Sequence, residues 1–434
     1  MNISPTLRKT VVNLGWLFVD RGIRMSGAVV INAWLTRYLG PEQNGVLNYA
    51  LAFVGMFTPL ATLGIDSIVI RDIVRNPEQR DRVLGSAFGL RLAGAVSALL
   101  FAGLAVTMVR PGDTMTHVLV VVTSFGLLFQ SFDVIDQWFQ SQIRSKYTVY
   151  AKNIAFVVIG AVKIGLILTG ADVLYFVIAT SAELMLGAAG LAVMYRRNGG
   201  SLRSWSFSAA RARELLRNSW PIIITDVAIF VQTRIDQVML RELLGEREIG
   251  LYAAAQKIAE PLGFVPMIIL SSVFPVIVRT KEWSDEEYGR RLTNLYRIMT
   301  VLTIAMCLPI SLLSGPIVQL LYGDQFAASA SILTVLIWSR FYSNIGVARS
   351  IYTTTEGLFR HSMVSAMAGS AVNITLNALL IPRMGVFGCI VAAHAGFIVT
   401  TFAIDAFNPK TKRNFRAMMT GIATFHRVKI STNQ

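Results

Sequence analysis

Residues 84–109 read LGSAFGLRLAGAVSALLFAGLAVTMV, an apolar run whose only ionised side chain is Arg91. A helix needs about 20 such residues to cross the hydrocarbon core of a bilayer, and this run exceeds that length. It also lacks the side-to-side alternation of a β-barrel strand. It therefore reads as a membrane-spanning helix. Eleven comparable runs lie around it, at about 12–36, 46–70, 117–140, 148–169, 172–194, 216–240, 250–278, 294–321, 327–353, 362–382 and 386–407. The expected fold class is an all-α polytopic membrane protein with twelve transmembrane helices.

Composition agrees. Of 434 residues, 54% are hydrophobic and 15% charged, and the mean hydropathy is +0.55. A soluble domain carries roughly 25% charged residues, so a soluble chain this poor in charge could not cover its own surface. The apolar content excludes a disordered chain, and two cysteines exclude a disulfide scaffold. Cys307 and Cys389 lie in apolar runs and read as small buried hydrophobes. The first run is interrupted by Asp20, Arg21 and Arg24 and is followed by no A-x-A cleavage pattern. It reads as a span rather than a secretory signal.

The formal net charge is +15, which in a soluble protein would point to nucleic acid. Here the basic residues follow the loops instead, so no nucleic-acid partner is expected. One alternating set of loops and termini, containing Arg71, Arg75, Arg196, Arg197, Arg290, Arg291, Lys412 and Arg413, holds twenty-five Lys and Arg. The other set holds only Arg37, Arg110, Arg241, Arg247 and Arg383. The positive-inside bias places both termini in the cytoplasm, with short outer loops that leave no room for an extracytoplasmic domain.

A shift of 205 residues aligns the chain with itself. It pairs Asn13 with Asn218, Leu39-Gly40 with Leu244-Gly245, Gly45 with Gly250, and the segment from Arg144 to Thr148 with that from Arg349 to Thr353. Six helices per half is an even number, so the halves cross the membrane in the same sense, as in parallel-repeat transporters. The expected organisation is an N-terminal lobe over 1–195, a cytoplasmic linker over 196–215, a C-terminal lobe over 216–408 and a basic cytoplasmic tail over 409–434.

A charge near the bilayer centre is expensive, so each one should face a partner or water. The embedded cations include Arg21, Arg24, Arg91, Lys152, Lys163, Arg234 and Arg340; the acids include Asp66, Asp133, Asp136, Asp226, Asp236, Glu260 and Asp405. Asp20 with Arg24, and Arg234 with Asp236, read as structural pairs, while Asp66 and Arg349 lie near the inner interface, where side chains snorkel. Arg21, Arg91, Lys163 and Arg340 have no helical neighbour of opposite sign and stand out as ligand contacts. In the fourth span Gln130, Asp133, Gln137 and Gln140 recur at spacings of three, four and three, one face of an α-helix, with Asp136 beside them. That stripe reads either as inter-helix hydrogen bonding or, the favoured reading, as a hydrated cavity wall suited to sugar hydroxyls. Pro261, Pro266 and Pro275 interrupt the eighth span and permit kinks.

No phosphate loop, H-E-x-x-H, paired C-x-x-C or G-x-S-x-G motif is present, and four histidines make a histidine-rich metal site improbable. The expectation is a secondary transporter, not an enzyme, with no cofactor and no metal.

Thr36-Arg37-Tyr38-Leu39-Gly40-Pro41-Glu42-Gln43-Asn44-Gly45, then Gly64-Ile65-Asp66 and Arg71-Asp72, resembles the start of the polysaccharide-transport flippases of the multidrug/oligosaccharidyl-lipid/polysaccharide (MOP) exporter superfamily. Arg234-Ile235-Asp236-Gln237-Val238-Met239-Leu240, Gly250-Leu251-Tyr252-Ala253-Ala254 and Phe274-Pro275 are similar to that family's seventh and eighth helices. Asn44 departs from the family, which often has an aromatic residue before the glycine.

The resemblance implies a V-shaped bundle of two six-helix lobes in a bacterial inner membrane. It also implies flipping of a polyprenyl-pyrophosphate-linked oligosaccharide by alternating access, for O-antigen or exopolysaccharide biosynthesis. Expected partners are that lipid-linked oligosaccharide, membrane lipids, a polysaccharide polymerase and a chain-length regulator. The candidate substrate contacts are Arg21, Arg24, Arg91, Lys163, Arg340, Gln130, Asp133 and Gln137. The candidate ion-coupling acids are Asp133, Asp136, Asp226, Asp236 and Glu260. The rival readings are a cation-coupled multidrug antiporter of the same superfamily and a membrane glycan polymerase or ligase. The latter would be expected to carry a long periplasmic loop.

Overall fold

The computed structural model describes the backbone of residues 5–428 and side chains from Gly27 onward, except those of Ala28 and Ser271. Among the described residues every regular element is helical. With no water to satisfy an exposed peptide group in lipid, helices are one of only two ways to span a membrane.

The first half contains α1 (Pro5–Gly55), α2 (Thr58–Thr62), α3 (Asp66–Arg75), α4 (Arg80–Val109), α5 (Thr114–Gln130), α6 (Val134–Ser141), α7 (Lys146–Leu168) and α8 (Val173–Arg197). Then follow α9 (Ala209–Leu244), α10 (Glu246–Ala259), α11 (Phe264–Trp283), α12 (Asp285–Leu312), α13 (Ser314–Tyr322), α14 (Ala328–Leu336) and α15 (Ser339–Thr355). The chain ends in α16 (Phe359–Met384), α17 (Val386–Ile398), α18 (Ile404–Phe407) and α19 (Lys412–Ala423).

Local chemistry explains the boundaries. α1 is two helices joined at Gly40, whose φ of 70° and ψ of 173° interrupt the helix in a region essentially reserved for glycine. Pro41 then opens the second segment, where its missing N–H costs nothing. Gly245, the repeat partner of Gly40, adopts the same conformation (φ 102°, ψ −178°) between α9 and α10. Asp113 caps α5 by accepting from the Thr116 N–H, and Ser284 caps α12 by accepting from that of Glu287.

Eight of the helical runs among the described residues are long and apolar enough to span a bilayer, or up to nine if the bent pair Val29–Gly55 and Thr58–Arg75 is one span. The twelve expected runs all fall on helix, but not all are that apolar. α9 carries Asp226, Gln232, Arg234 and Asp236, and the run 327–353 is divided between α14 and α15 close to Arg340. The fourth span is also not one unbroken helix: a 3₁₀ turn at Ser131–Asp133 separates α5 from α6. This corrects the reading of Gln130, Asp133, Gln137 and Gln140 as one continuous face. A second 3₁₀ turn, Glu260–Gly263, divides the eighth span at Pro261.

The chain forms two compact units, residues 1–39 with 46–230, and residues 40–45 with 231–434. In the first, α4 packs on α5, α5 on α8, α7 on α8 and α3 on α6. Its core gathers Ile65, Val69, Leu84, Trp138, Phe139 and Tyr195. Segment 196–215 packs into this unit: the Ser208 N–H donates to Ser86 Oγ and Trp205 Nε1 to Tyr195 Oη. In the second, α16 packs on α17, α12 on α15 and α19, and α10 on α14, around Leu292, Tyr296, Met299, Ile345, Tyr352 and Met418. Residues 412–423 of the expected tail thus form a helix docked on α12. Leu100, Met108, Leu168, Leu312 and Leu320 point outward, as side chains bordered by lipid can.

Candidate functional site

Arg21 and Arg24 lie outside the residues whose side chains are described. Among the others, the first unit brings Arg91 and Gln137 to one acid. Arg91, 2% exposed on α4, donates through Nη2 to Asp66 Oδ1 and through Nη1 to the Gln130 carbonyl at 3.2 Å. Gln137 Nε2 donates to the same Asp66 oxygen at 2.8 Å. Among the described residues the network is incomplete, since Arg91 Nε and Gln137 Oε1 are buried with no partner. Asp226 approaches from α9, its Oδ2 3.4 Å from where a Gly64 β-carbon would sit.

Two further cations of this unit are paired. Lys152 Nζ lies 2.8 Å from Asp133 and 3.7 Å from Asp136, and Lys163 Nζ 3.3 Å from Glu183. Reading Arg91 and Lys163 as cations without an opposite charge is therefore corrected. The one-helix rule sees only neighbours three or four positions away, whereas both partners come from other helices. The polar stripe is likewise split: Gln137 turns into the protein toward Asp66, Asp133 turns to Lys152, and Gln130 lines a cavity of about 160 Å³ with Thr58, Thr123, Thr180 and Ser181.

In the second unit Asp236 is 4% exposed. Its Oδ1 accepts from Asn373 Nδ2 at 3.0 Å and Asn377 Nδ2 at 2.7 Å, and its Oδ2 from Tyr252 Oη at 3.3 Å. Arg234 turns instead to Glu260, 3.3 Å away. The expected Arg234–Asp236 pair is thus absent, because residues two apart leave a helix in nearly opposite directions. Arg340 sits near the break in the eighth span, its Nη1 3.7 Å from the Gly263 β-carbon position. Its Nε is buried with no partner among the described residues, and Glu260 and Arg234 are within electrostatic range.

Arg349 does not snorkel. It forms a buried fork on Asp405, Nε to Oδ2 at 2.8 Å and Nη2 to Oδ1 at 2.6 Å, and His361 Nε2 joins Oδ1 at 2.6 Å. Bidentate geometry of this kind is strong and directional. Asn373 and Asn377 escaped the sequence reading, although their four-residue spacing on one helix face was visible. His361 left no sequence signal, since its partner lies 44 positions away.

Arg340, Asp236 and the Arg234–Glu260 pair can meet an anion, a small cation and a polar ligand, respectively. The sequence profile of the family described as "Polysaccharide biosynthesis protein" matches residues 11–281. A putative O-antigen transporter of Shigella flexneri is 21% identical over 402 residues, covering 88% of this chain and 93% of that protein. Among solved structures, lipid II flippase MurJ in an inward closed conformation aligns with a TM-score of 0.71 at 15% identity, covering 98% of this chain and 94% of that one. An inward-facing multidrug resistance MATE family transporter of the MOP superfamily aligns with a TM-score of 0.65 at 16% identity, covering 98% and 100%. These structures show a shared fold.

Proposed function

Because the chain belongs to the polysaccharide biosynthesis protein family, as the match over residues 11–281 establishes, we propose that it is a flippase for a polyprenyl-pyrophosphate-linked oligosaccharide. The observation that carries this reading is the similarity to a protein described as a putative O-antigen transporter along 88% of the chain. The chemistry supports it. A guanidinium with an unpartnered buried nitrogen, as at Arg340, suits a pyrophosphate, whose oxygens match its fork. Glycan hydroxyls would be met by amides and carboxylates such as Gln130 and Asp133, and the polyprenyl chain would stay in lipid.

Transport runs from the cytoplasmic to the periplasmic leaflet of the inner membrane, with both termini cytoplasmic. The domain organisation is that of two like-oriented lobes alternating in access. Asp236 is the preferred coupling group among Asp133, Asp136, Asp226, Asp236 and Glu260. An ionised carboxylate buried among neutral amides is costly without a counter-charge, so the site favours uptake of a proton or a monovalent cation. Arg91 and Lys163, each held by an acid, are secondary substrate contacts that would have to exchange partners.

The multidrug antiporter reading shares only the fold with this chain. Among the described residues no long loop is present to carry the catalysis of a polymerase or ligase. Proteoliposomes loaded with a fluorescent polyprenyl-pyrophosphate oligosaccharide distinguish them by the rate at which the label becomes accessible to an external glycosidase. Wild-type vesicles should exceed protein-free vesicles severalfold, and Arg340→Ala should remove most of the difference. Equal rates with and without the protein would refute the proposal.

A further inference from the structure

α19 is tied to the rest of the second unit by side-chain hydrogen bonds. Tyr296 Oη of α12 donates to Asn414 Oδ1 at 2.8 Å, Arg297 Nε to Thr424 Oγ1 at 2.9 Å, and Arg413 Nη2 to the Asp285 carbonyl at 2.5 Å. The turn before it is also held, with Tyr352 Oη donating to the Lys410 carbonyl at 2.7 Å and Thr411 Oγ1 to that of Asp405 at 3.1 Å. Asn414, Met418 and Gly421 form the inner face, buried at spacings of four and three.

The opposite face meets no other helix among the described residues. Lys412, Arg416, Met419, Thr420 and Ala423 recur on it and are exposed, one stripe of a helix that mixes cations with an apolar side chain. The same end of the second unit is ringed by exposed aromatic residues: Trp283 closes α11, Phe359 opens α16, Phe407 (88% exposed) closes α18, and Phe425 follows α19. Three of the acids here are already engaged. Asp285 meets Lys281 at 2.8 Å and Glu356 meets Lys281 at 3.0 Å, while Glu287 holds Arg290 and Arg291. Glu282 and Glu286 add negative charge, yet Arg360, Lys410, Lys412, Arg413, Arg416 and Arg427 outnumber them.

Aromatic side chains gather where a bilayer meets water, and basic side chains there attract anionic lipid. We propose that α19 is a docking platform for anionic phospholipid headgroups of the leaflet it faces. Lys412 and Arg416 meet the phosphates, while Met419 and Phe425 reach the acyl boundary. The exposed aromatic ring separates this from a nucleic-acid surface, whose partner offers no hydrocarbon to bury those rings. The proposal rests on the membrane embedding of the chain and not on the identity of the transported substrate.

The full chain is reconstituted in nanodiscs of phosphatidylcholine, with and without phosphatidylglycerol, and its thermal midpoint is read. Phosphatidylglycerol should raise the wild-type midpoint, and high salt should abolish the rise. The double variant Lys412→Gln with Arg416→Gln should match wild type in phosphatidylcholine but lose most of the rise. Two cations near an anionic surface, at roughly fivefold in binding each, account for that loss. A variant that keeps the full rise overturns the proposal. So does an equal rise from inorganic phosphate in phosphatidylcholine discs, which would identify a soluble-anion site. Independently, an environment-sensitive dye on Met419→Cys should report an apolar boundary in discs; a water-like spectrum there refutes the placement even where the charge variant folds poorly.

Discussion

Gly45 and Gly250, 205 positions apart and both in the second unit, cross so closely that neither tolerates a side chain. A β-carbon on Gly250 would fall 1.8 Å from the Pro41 carbonyl oxygen, and one on Gly45 would fall 1.9 Å from that of Glu246. Pro41 and Glu246 are themselves 205 apart, so the contact is reciprocal, as in an isologous interface. Repeat-related Glu42 and Arg247 pair across it at 3.4 Å, and Asn44 Nδ2 donates to the Gly250 carbonyl at 2.9 Å.

Gly250→Ala should therefore force the two backbones apart. Overpacking costs about 1–3 kcal/mol, and a clash with backbone belongs at or above the top of that range. Gly45→Ala should act alike, and the double variant should cost less than the sum because both relieve one crossing. Thermal unfolding in detergent measures this; wild-type midpoints for both single variants would contradict the geometry.

Asp405→Ala should strand the buried Arg349 guanidinium, 8% exposed, at a cost of about 3–5 kcal/mol. Arg349→Ala should cost a similar amount. Replacing both by apolar residues should recover part of the loss, which a double-mutant cycle reads as a coupling energy. Additive losses would mean that the fork contributes little.

Asp66→Leu should leave Arg91 with the Gln130 carbonyl as its one acceptor among the described residues, a loss of about 2–3 kcal/mol tempered by the exposure of Asp66 itself. Asp66→Asn, which can still accept from both Arg91 and Gln137, should lose less. The order of the two unfolding midpoints is the test.

Asp236→Asn should preserve the amide cluster while removing the charge. If Asp236 couples transport, the variant should stay folded and lose the dependence of oligosaccharide flipping on an imposed proton or sodium gradient. Gradient-dependent flipping at the wild-type rate would exclude Asp236 from coupling.

Much of this was legible in one dimension because it depends on near neighbours. Apolar runs longer than a bilayer is thick, basic loops on alternate sides and the Leu-Gly steps at Gly40 and Gly245 are all local statements. The repeat was legible because a fixed offset needs no coordinates. The span count was less so: hydropathy weighs residues one by one, and polar side chains that find partners, as along α9, dilute an apolar signal without preventing a helix.

The amino-acid order by itself determined that the chain is helical and membrane-embedded, since peptide groups in lipid must be satisfied within each segment and side-chain transfer energies sum along the run. Only the tertiary structure decided which embedded charges are neutralised. Arg91 finds Asp66, Lys163 finds Glu183 and Arg349 finds Asp405, while among the described residues Arg340 keeps a bare nitrogen and Asp236 is met by two amides and the Tyr252 hydroxyl. Coulomb attraction depends on distance in space, and helix packing brings together residues that spacing along one helix cannot relate.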